Sequence, residues 1–261
     1  MFSTENRCLF KNNQLAEVIC QLRFPEILMI NEKSPAAFQD AIRDIFPNYS
    51  VQTTAPAPRI SGAPGNLSLV NQPAINNYQF VSADGVWKIN LTSTFISLSC
   101  NRYFRWEDFA AKLDKPLAAF IECYRPAYFQ RVGLRYVNFI SRKALALEHV
   151  PFSDLFQSAY LGPLGCDSVA ESTVSRCSID AEVALRGGCR VKLHAGPGLV
   201  KKRGQADQEV KFIFDEDLFM SGNIPVNVSA GALETLHAQA YPVFRGAITD
   251  TLFEALSPIT L

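Results

Sequence analysis

The chain contains no long apolar run. Its most hydrophobic stretches, such as Val18-Ile19-Cys20 and Ile27 to Ile30, are short and interrupted. A membrane-spanning helix requires roughly 20 consecutive apolar residues, so no membrane span is expected. Met1 to Phe10 carries Glu5 and Arg7 and lacks the apolar stretch of a secretory leader. An excess of one charge is missing too: 25 Lys and Arg oppose 25 Asp and Glu. That balance argues against a polyanion binder acting by bulk charge. The seven cysteines, at positions 8, 20, 100, 123, 166, 177 and 189, form no C-x-x-C pair, and there are only three histidines. Without clustered Cys and His no zinc site is expected, and the thiols read as the reduced, mostly buried ones of a cytoplasmic protein. The G-x-S-x-G nucleophile motif is absent. The sequence therefore supplies no catalytic residue, no cofactor and no metal, and the reading leans away from an enzyme.

What is present is core-forming material. Hydrophobic residues make up 48% and charged residues 19% of 261 residues, a length that buries about 70–75% of the unfolded surface without staples. Residues 15–24 alternate, with Ala16, Val18, Cys20, Leu22 and Phe24 on one face and Glu17, Gln21 and Arg23 on the other, which predicts a strand. Ser34 and Pro35 predict the cap and first position of a helix that Pro47 stops. A short strand at 49–54 and a Pro/Gly/Ala-rich surface loop at 55–66 follow. Strands are predicted near 66–72, 77–83, 86–93 and 95–99, with Asp84-Gly85 as a hairpin turn. A helix at 107–124 contains Pro116, expected to kink it.

The order then recurs. Residues 128–141 predict a long strand with Val132, Leu134, Tyr136, Asn138 and Ile140 on one face. A short helix at 151–160 and strands near 172–185, 188–195 and 209–215 come next, with Arg186-Gly187-Gly188 as a turn. A last helix from Ser229 carries the apolar stripe Leu233, Leu236, Ala240, Phe244, Ala247/Ile248 and Leu252, with Pro242 inside. Leu22-Arg23-Phe24 echoes Leu134-Arg135-Tyr136. The expected fold is α+β, with two tandem β-α-β(3–5)-α units and antiparallel sheets. Its halves, residues 1–126 and 127–261, form one pseudo-symmetric domain, in the manner of the TATA-box-binding-protein duplication or of a helix-grip domain. This is an analogy of topology and carries no function by itself.

Several stretches together are similar to a sporadically distributed, functionally uncharacterised bacterial protein family of about this length. They are FKNNQLAEVICQLRFP at Phe10–Pro25, FISLS at Phe95–Ser99, YFRWEDF at Tyr103–Phe109, VGLRYVN at Val132–Asn138 and ITD at Ile248–Asp250. Gln14 departs from the proline of the family pattern. The resemblance spans nearly the whole chain and implies a cytoplasmic protein. It carries over no catalytic residue, substrate or cofactor.

Candidate contacts come from polar groups on strands and from one basic loop. Arg23, Arg131, Arg135 and Asn138 would form a polar floor able to grip an anion bidentately. Alternatively they form a structural network, with Glu17 and Arg135 paired across strands. Gly196 to Gly204 carries Lys201, Lys202 and Arg203 and is expected to be a hairpin tip; its cations would contact phosphate if nucleic acid were bound. Asp215-Glu216-Asp217 reads as a solvated turn after a strand, and His149, His194 and His237 as three unrelated histidines. Tyr103 to Trp106 fits a hydrophobic staple at a helix entry. The leading functional expectation is a non-enzymatic binding or assembly protein of a bacterial accessory or defence-type system, offering a sheet face or edge to a protein partner or to a second copy. The alternatives are a small-ligand binder in a helix-grip cavity and a nucleic-acid binder through a saddle surface.

Overall fold

The computed structural model describes residues 2–54, 59–61, 68–70, 74–202 and 205–260. Alternating apolar residues generate the strands, in chain order β1 (Cys8–Phe10) and β2 (Leu15–Arg23), helices α1 (Leu28–Glu32) and α2 (Ala36–Ile42), then β3 (Asn48–Thr54), β4 (Arg59–Ser61), β5 (Ser68–Val70), β6 (Ile75–Val81), β7 (Trp87–Leu91) and β8 (Phe95–Cys100). Helix α3 (Trp106–Tyr124) leads to β9 (Phe129–Ile140), β10 (Ile179–Ala184), β11 (Arg190–Lys202) and β12 (Gln205–Ile224). Helices α4 (Ser229–Ala247) and α5 (Asp250–Ala255) and strand β13 (Pro258–Thr260) close the chain. The fold is α+β. Nine strands pair antiparallel in the order β10-β11-β12-β9-β2-β8-β7-β6-β3, and β1-β13 and β4-β5 form two-stranded ribbons.

The period of two sorts every strand of the large sheet into two faces. On one face Val18, Cys20, Leu22, Leu98, Ile89, Phe80, Val132, Leu134, Phe214 and Val191 are buried. The helices cover that face. Phe120 of α3 meets Phe24 at 4.8 Å, Phe38 of α2 meets Phe80 at 5.3 Å, and Phe244 of α4 meets Phe214 at 5.8 Å. On the opposite face the register aligns Glu182, Lys192, Asp217 and Arg135 in one row and Asp180, His194 and Asp215 in the next. Among the described residues no helix packs there.

Several boundaries differ from the sequence expectation. The helix expected at 151–160 is a chain of single 3₁₀ turns, Phe152–Asp154, Ser158–Tyr160 and Gly162–Gly165. Phe152 and Phe156 both pack on Phe212, and these tertiary contacts set the path of a segment too short to hold a helix by itself. The strand expected from 172 starts only at Ile179, after a turn at Glu171–Thr173. Helix α2 starts after Pro35 and has no side-chain cap from Ser34. Helices α3 and α4 run through Pro116 and Pro242 as continuous elements. Strand β11 continues to Lys202 and β12 resumes at Gln205, so Gly196 to Lys202 is ladder, not loop. Much of the expected 55–66 loop lies outside the described residues, but Arg59–Ser61 within it is a strand. The turn at Arg186-Gly187-Gly188 is as expected: both glycines have positive φ, 68° and 75°, which a side chain disfavours.

Leu236 is fully buried on α4. Leu236→Ala should lower stability by about 2–5 kcal/mol, measured by urea unfolding; an unchanged midpoint would contradict the packing of α4 on the sheet.

Candidate functional site

The residues singled out in the sequence fall on different faces. Arg23 is exposed, and Arg131 and Arg135 stand on the uncovered face, whereas Asn138 is buried beneath the helices. The odd and even positions of β9 point oppositely, so the four do not converge. Arg131 Nη2 donates to both Asp217 oxygens at 2.7 Å, and its guanidinium lies 4.6 Å from the Phe219 ring centre. Gly133 makes room for it, since a Cβ there would strike that guanidinium. Arg135 is paired with Asp215, not with Glu17, because Glu17 stands opposite Val137 and Arg135 opposite Ile19. Lys201 and Lys202 end β11, and Arg203 lies outside the described residues.

Beneath the helices the sheet carries a polar site that sequence reasoning missed. Glu216, read as part of a turn, sits mid-strand in β12 with Tyr136 of β9 as its register partner. On α4, His237, Ala240, Tyr241 and Phe244 share one stripe. These residues, with Asn138, Tyr103 and Phe104 before α3, and Arg7 to Phe10 and Asn13 to Leu15 from the first strands, line a cavity of about 90 Å³. At roughly 30 Å³ per water this holds about three waters or the head of a small molecule.

The walls are tightly tied. Tyr136 Oη and His237 Nδ1 are 2.8 Å apart. The Trp106 indole stacks on the His237 ring with centres 4.7 Å apart, and its Nε1 donates to Glu234 at 2.8 Å. Tyr103 meets Tyr136 edge-on at 5.8 Å. Asn13 accepts from the Leu15 backbone N–H at 2.8 Å and donates to the Tyr103 carbonyl at 2.9 Å, which fastens the lip. Asn138 Nδ2 donates to the Phe214 carbonyl at 3.4 Å, and no donor to its Oδ1 is found among the described residues. Glu107 pairs with Arg7 at 3.4 Å.

Glu216 is 3% exposed, and among the described residues its carboxyl has no hydrogen-bond or ion-pair partner; Oε2 is shut away from solvent. Burial, and secondarily the Asp215 charge, push its pKa well above the ordinary carboxyl value. Burial thus favours its neutral, protonated form. His237 is shifted the other way, down to about 4, by burial and then by Arg7. Its Nε2 is buried and has no hydrogen-bond partner among the described residues. Burial likewise raises Tyr136 well above its ordinary value and Tyr103 to about 12. Burial thus favours the uncharged form of each of these groups.

A signal for both missed residues was in the sequence. Phe212, Phe214, Glu216 and Leu218 alternate through the acidic run, so extending the strand past 215 places Glu216 inside. His237 falls four residues after Leu233 and three before Ala240, within the apolar stripe of α4. The other histidines are elsewhere: His194 pairs with Asp180 at 2.8 Å on the uncovered face and His149 is exposed. All seven cysteines are unpaired. Among the described residues no group of three or more His, Cys, Asp or Glu could hold a metal, and no helix is long and apolar enough to cross a membrane. The chain matches no protein-family model, no curated protein and no solved structure.

Two stability predictions follow from these environments. Arg135 is half-exposed, so Arg135→Met should cost less than about 1 kcal/mol in urea unfolding; a larger loss would mark its Asp215 pair as part of the core. The second concerns pH. Glu216 binds a proton more tightly folded than unfolded, so its contribution falls as pH rises above 4.5. His237 has the opposite sign: between about 4 and 6.5 the unfolded chain binds the extra proton, and stability rises with pH. Above 6.5 the His237 contribution is constant; the Glu216 decline runs from 4.5 up to its raised folded pKa, at most about 1.4 kcal/mol per pH unit. Glu216→Leu should abolish that decline and raise stability at neutral pH by about 1–3 kcal/mol. A variant less stable than wild type, or one with the same slope, would contradict the unpartnered burial of this carboxyl.

Proposed function

We propose that the protein is a non-enzymatic binding protein that holds a small organic ligand between α4 and the sheet, in helix-grip fashion. The observation that carries this reading is Glu216: a buried carboxyl without a partner on the wall of a cavity. A residue serving stability alone would there be apolar or paired, and a perturbed titratable group in a largely apolar pocket is the physical mark of a binding site. The strand order supports reading the chain as two halves, 1–126 and 127–261. Within the large sheet the first strands of the two halves, β2 and β9, meet at the centre, flanked by the last strand each half adds to that sheet, β8 and β12, and then by β7 and β11. On this reading the cavity lies at the junction, taking β9, β12 and α4 from the second half and the Arg7–Leu15 and Tyr103–Phe104 segments from the first. A cytoplasmic location fits the seven unpaired thiols.

The uncovered sheet face favours a second role as a surface for a protein partner of an accessory or defence-type system. Its charges alternate in sign, and Asp217 and Asp215 already engage Arg131 and Arg135. Nucleic acid would need unpaired cations of one sign. Electrophoretic mobility assays at low salt should accordingly show no shift of DNA or RNA.

The pocket is tested by ligand-observed NMR with a fragment library on the wild type and on Ala240→Leu, which fills the cavity from α4. Fragments should bind the wild type and be displaced in the variant. Binding that Ala240→Leu leaves intact, or a blank screen, would reject the pocket as the site.

A further inference from the structure

From the same pocket, and resting on its reading as a binding site, we infer that the ligand is a small organic cation: a primary ammonium on an apolar body, with its nitrogen against Glu216 and Asn138. The floor of the cavity presents acceptors. Among the described residues no cation neutralises the Glu216 carboxyl, and Asn138 spends its Nδ2 on the Phe214 carbonyl and has no donor to its Oδ1. The two are diagonal neighbours, since Tyr136 stands opposite Glu216 and Asn138 opposite Phe214. Aromatic rings line the cavity above them, those of Tyr103, Tyr136, Tyr241, Phe10 and Phe244, and such faces attract a cation. A buried carboxyl ionises only when its charge is paired, and a cation that enters the cavity supplies that pair.

The groups that face Glu216 leave the assignment consistent. Tyr136 on β9 and Tyr160 on the Ser158–Tyr160 turn are neutral phenols, His237 on α4 is neutral, and Asp215 on the opposite face of β12 repels an anion. Arg7 also lines the cavity and repels a second positive charge on the ligand, so a monoamine is preferred to a diamine. Entry of an ammonium ionises Glu216, whose proton passes to solvent.

Titration calorimetry of the full chain with butylammonium, butanol, butyrate and the butyl diamine tests this. Butylammonium should bind roughly 10-fold or more tighter than the others. Its binding should release close to one proton, read from buffers of different ionisation enthalpy, and tighten by up to about tenfold per pH unit. Glu216→Gln should lose the preference and the proton release. Glu216→Leu, expected to be more stable than the wild type, should do the same, which separates loss of binding from loss of folding. Equal binding of butanol, preference for butyrate, absence of butylammonium binding, or full binding by Glu216→Gln would overturn the inference. If butanol or butyrate binds and Ala240→Leu abolishes it, the pocket stands and only the cation fails; the pocket itself falls if the wider fragment screen is blank.

Discussion

The central antiparallel pair β2–β9 is the constraint on which the rest of the structure depends. Its register sets Val18 opposite Tyr136, Cys20 opposite Leu134 and Leu22 opposite Val132. Every other residue of both strands is thereby committed to the helix-covered side. A shift of one residue would turn Arg131 and Arg135 inward and expose Leu134 and Tyr136. Strands β8 and β12 add to the outer edges of this pair, so the alternation propagates across the sheet.

The two faces then solve different problems. The covered face buries an aromatic-rich layer: Phe24, Phe38, Phe80, Phe120, Phe156, Phe212 and Phe214 are all within 1% of full burial. The uncovered face matches cations to anions strand by strand, with Arg190 on Glu182, Arg135 on Asp215 and Arg131 on Asp217. Exposed pairs of this kind add little stability. They keep a broad polar face neutral, and the hydrophobic layer supplies the folding energy.

A cluster of polar residues interrupts the covered face where Tyr136, Asn138, Glu216 and His237 meet. Burial shifts the carboxyl up and the imidazole down, in each case toward the neutral form. Trp106 ties this place to α3: its ring closes over His237, and its Nε1 reaches Glu234 one turn earlier on α4. The first residue of α3 therefore also shapes the site.

Periodicity alone determined most of the fold. The alternation in 15–24 and 128–141, the Asp84-Gly85 and Arg186-Gly187-Gly188 turns and the apolar stripe of the last helix are local patterns, set by side-chain direction and backbone sterics within a few residues. The stretch from Pro151 to Ser178 was less legible. Its compact 3₁₀ turns are held by contacts remote in the chain, such as Phe152 and Phe156 on Phe212. Asn138 was placed on the correct strand face, yet grouped with Arg131 and Arg135, which lie on the other. The assembly of the site was decided only by tertiary structure. Glu216 reads as one acid among three, and His237 as one polar residue in a helix. What makes them a site is the β9–β12 register and the docking of α4, which take both out of water, and desolvation is a property of the packed chain rather than of any segment.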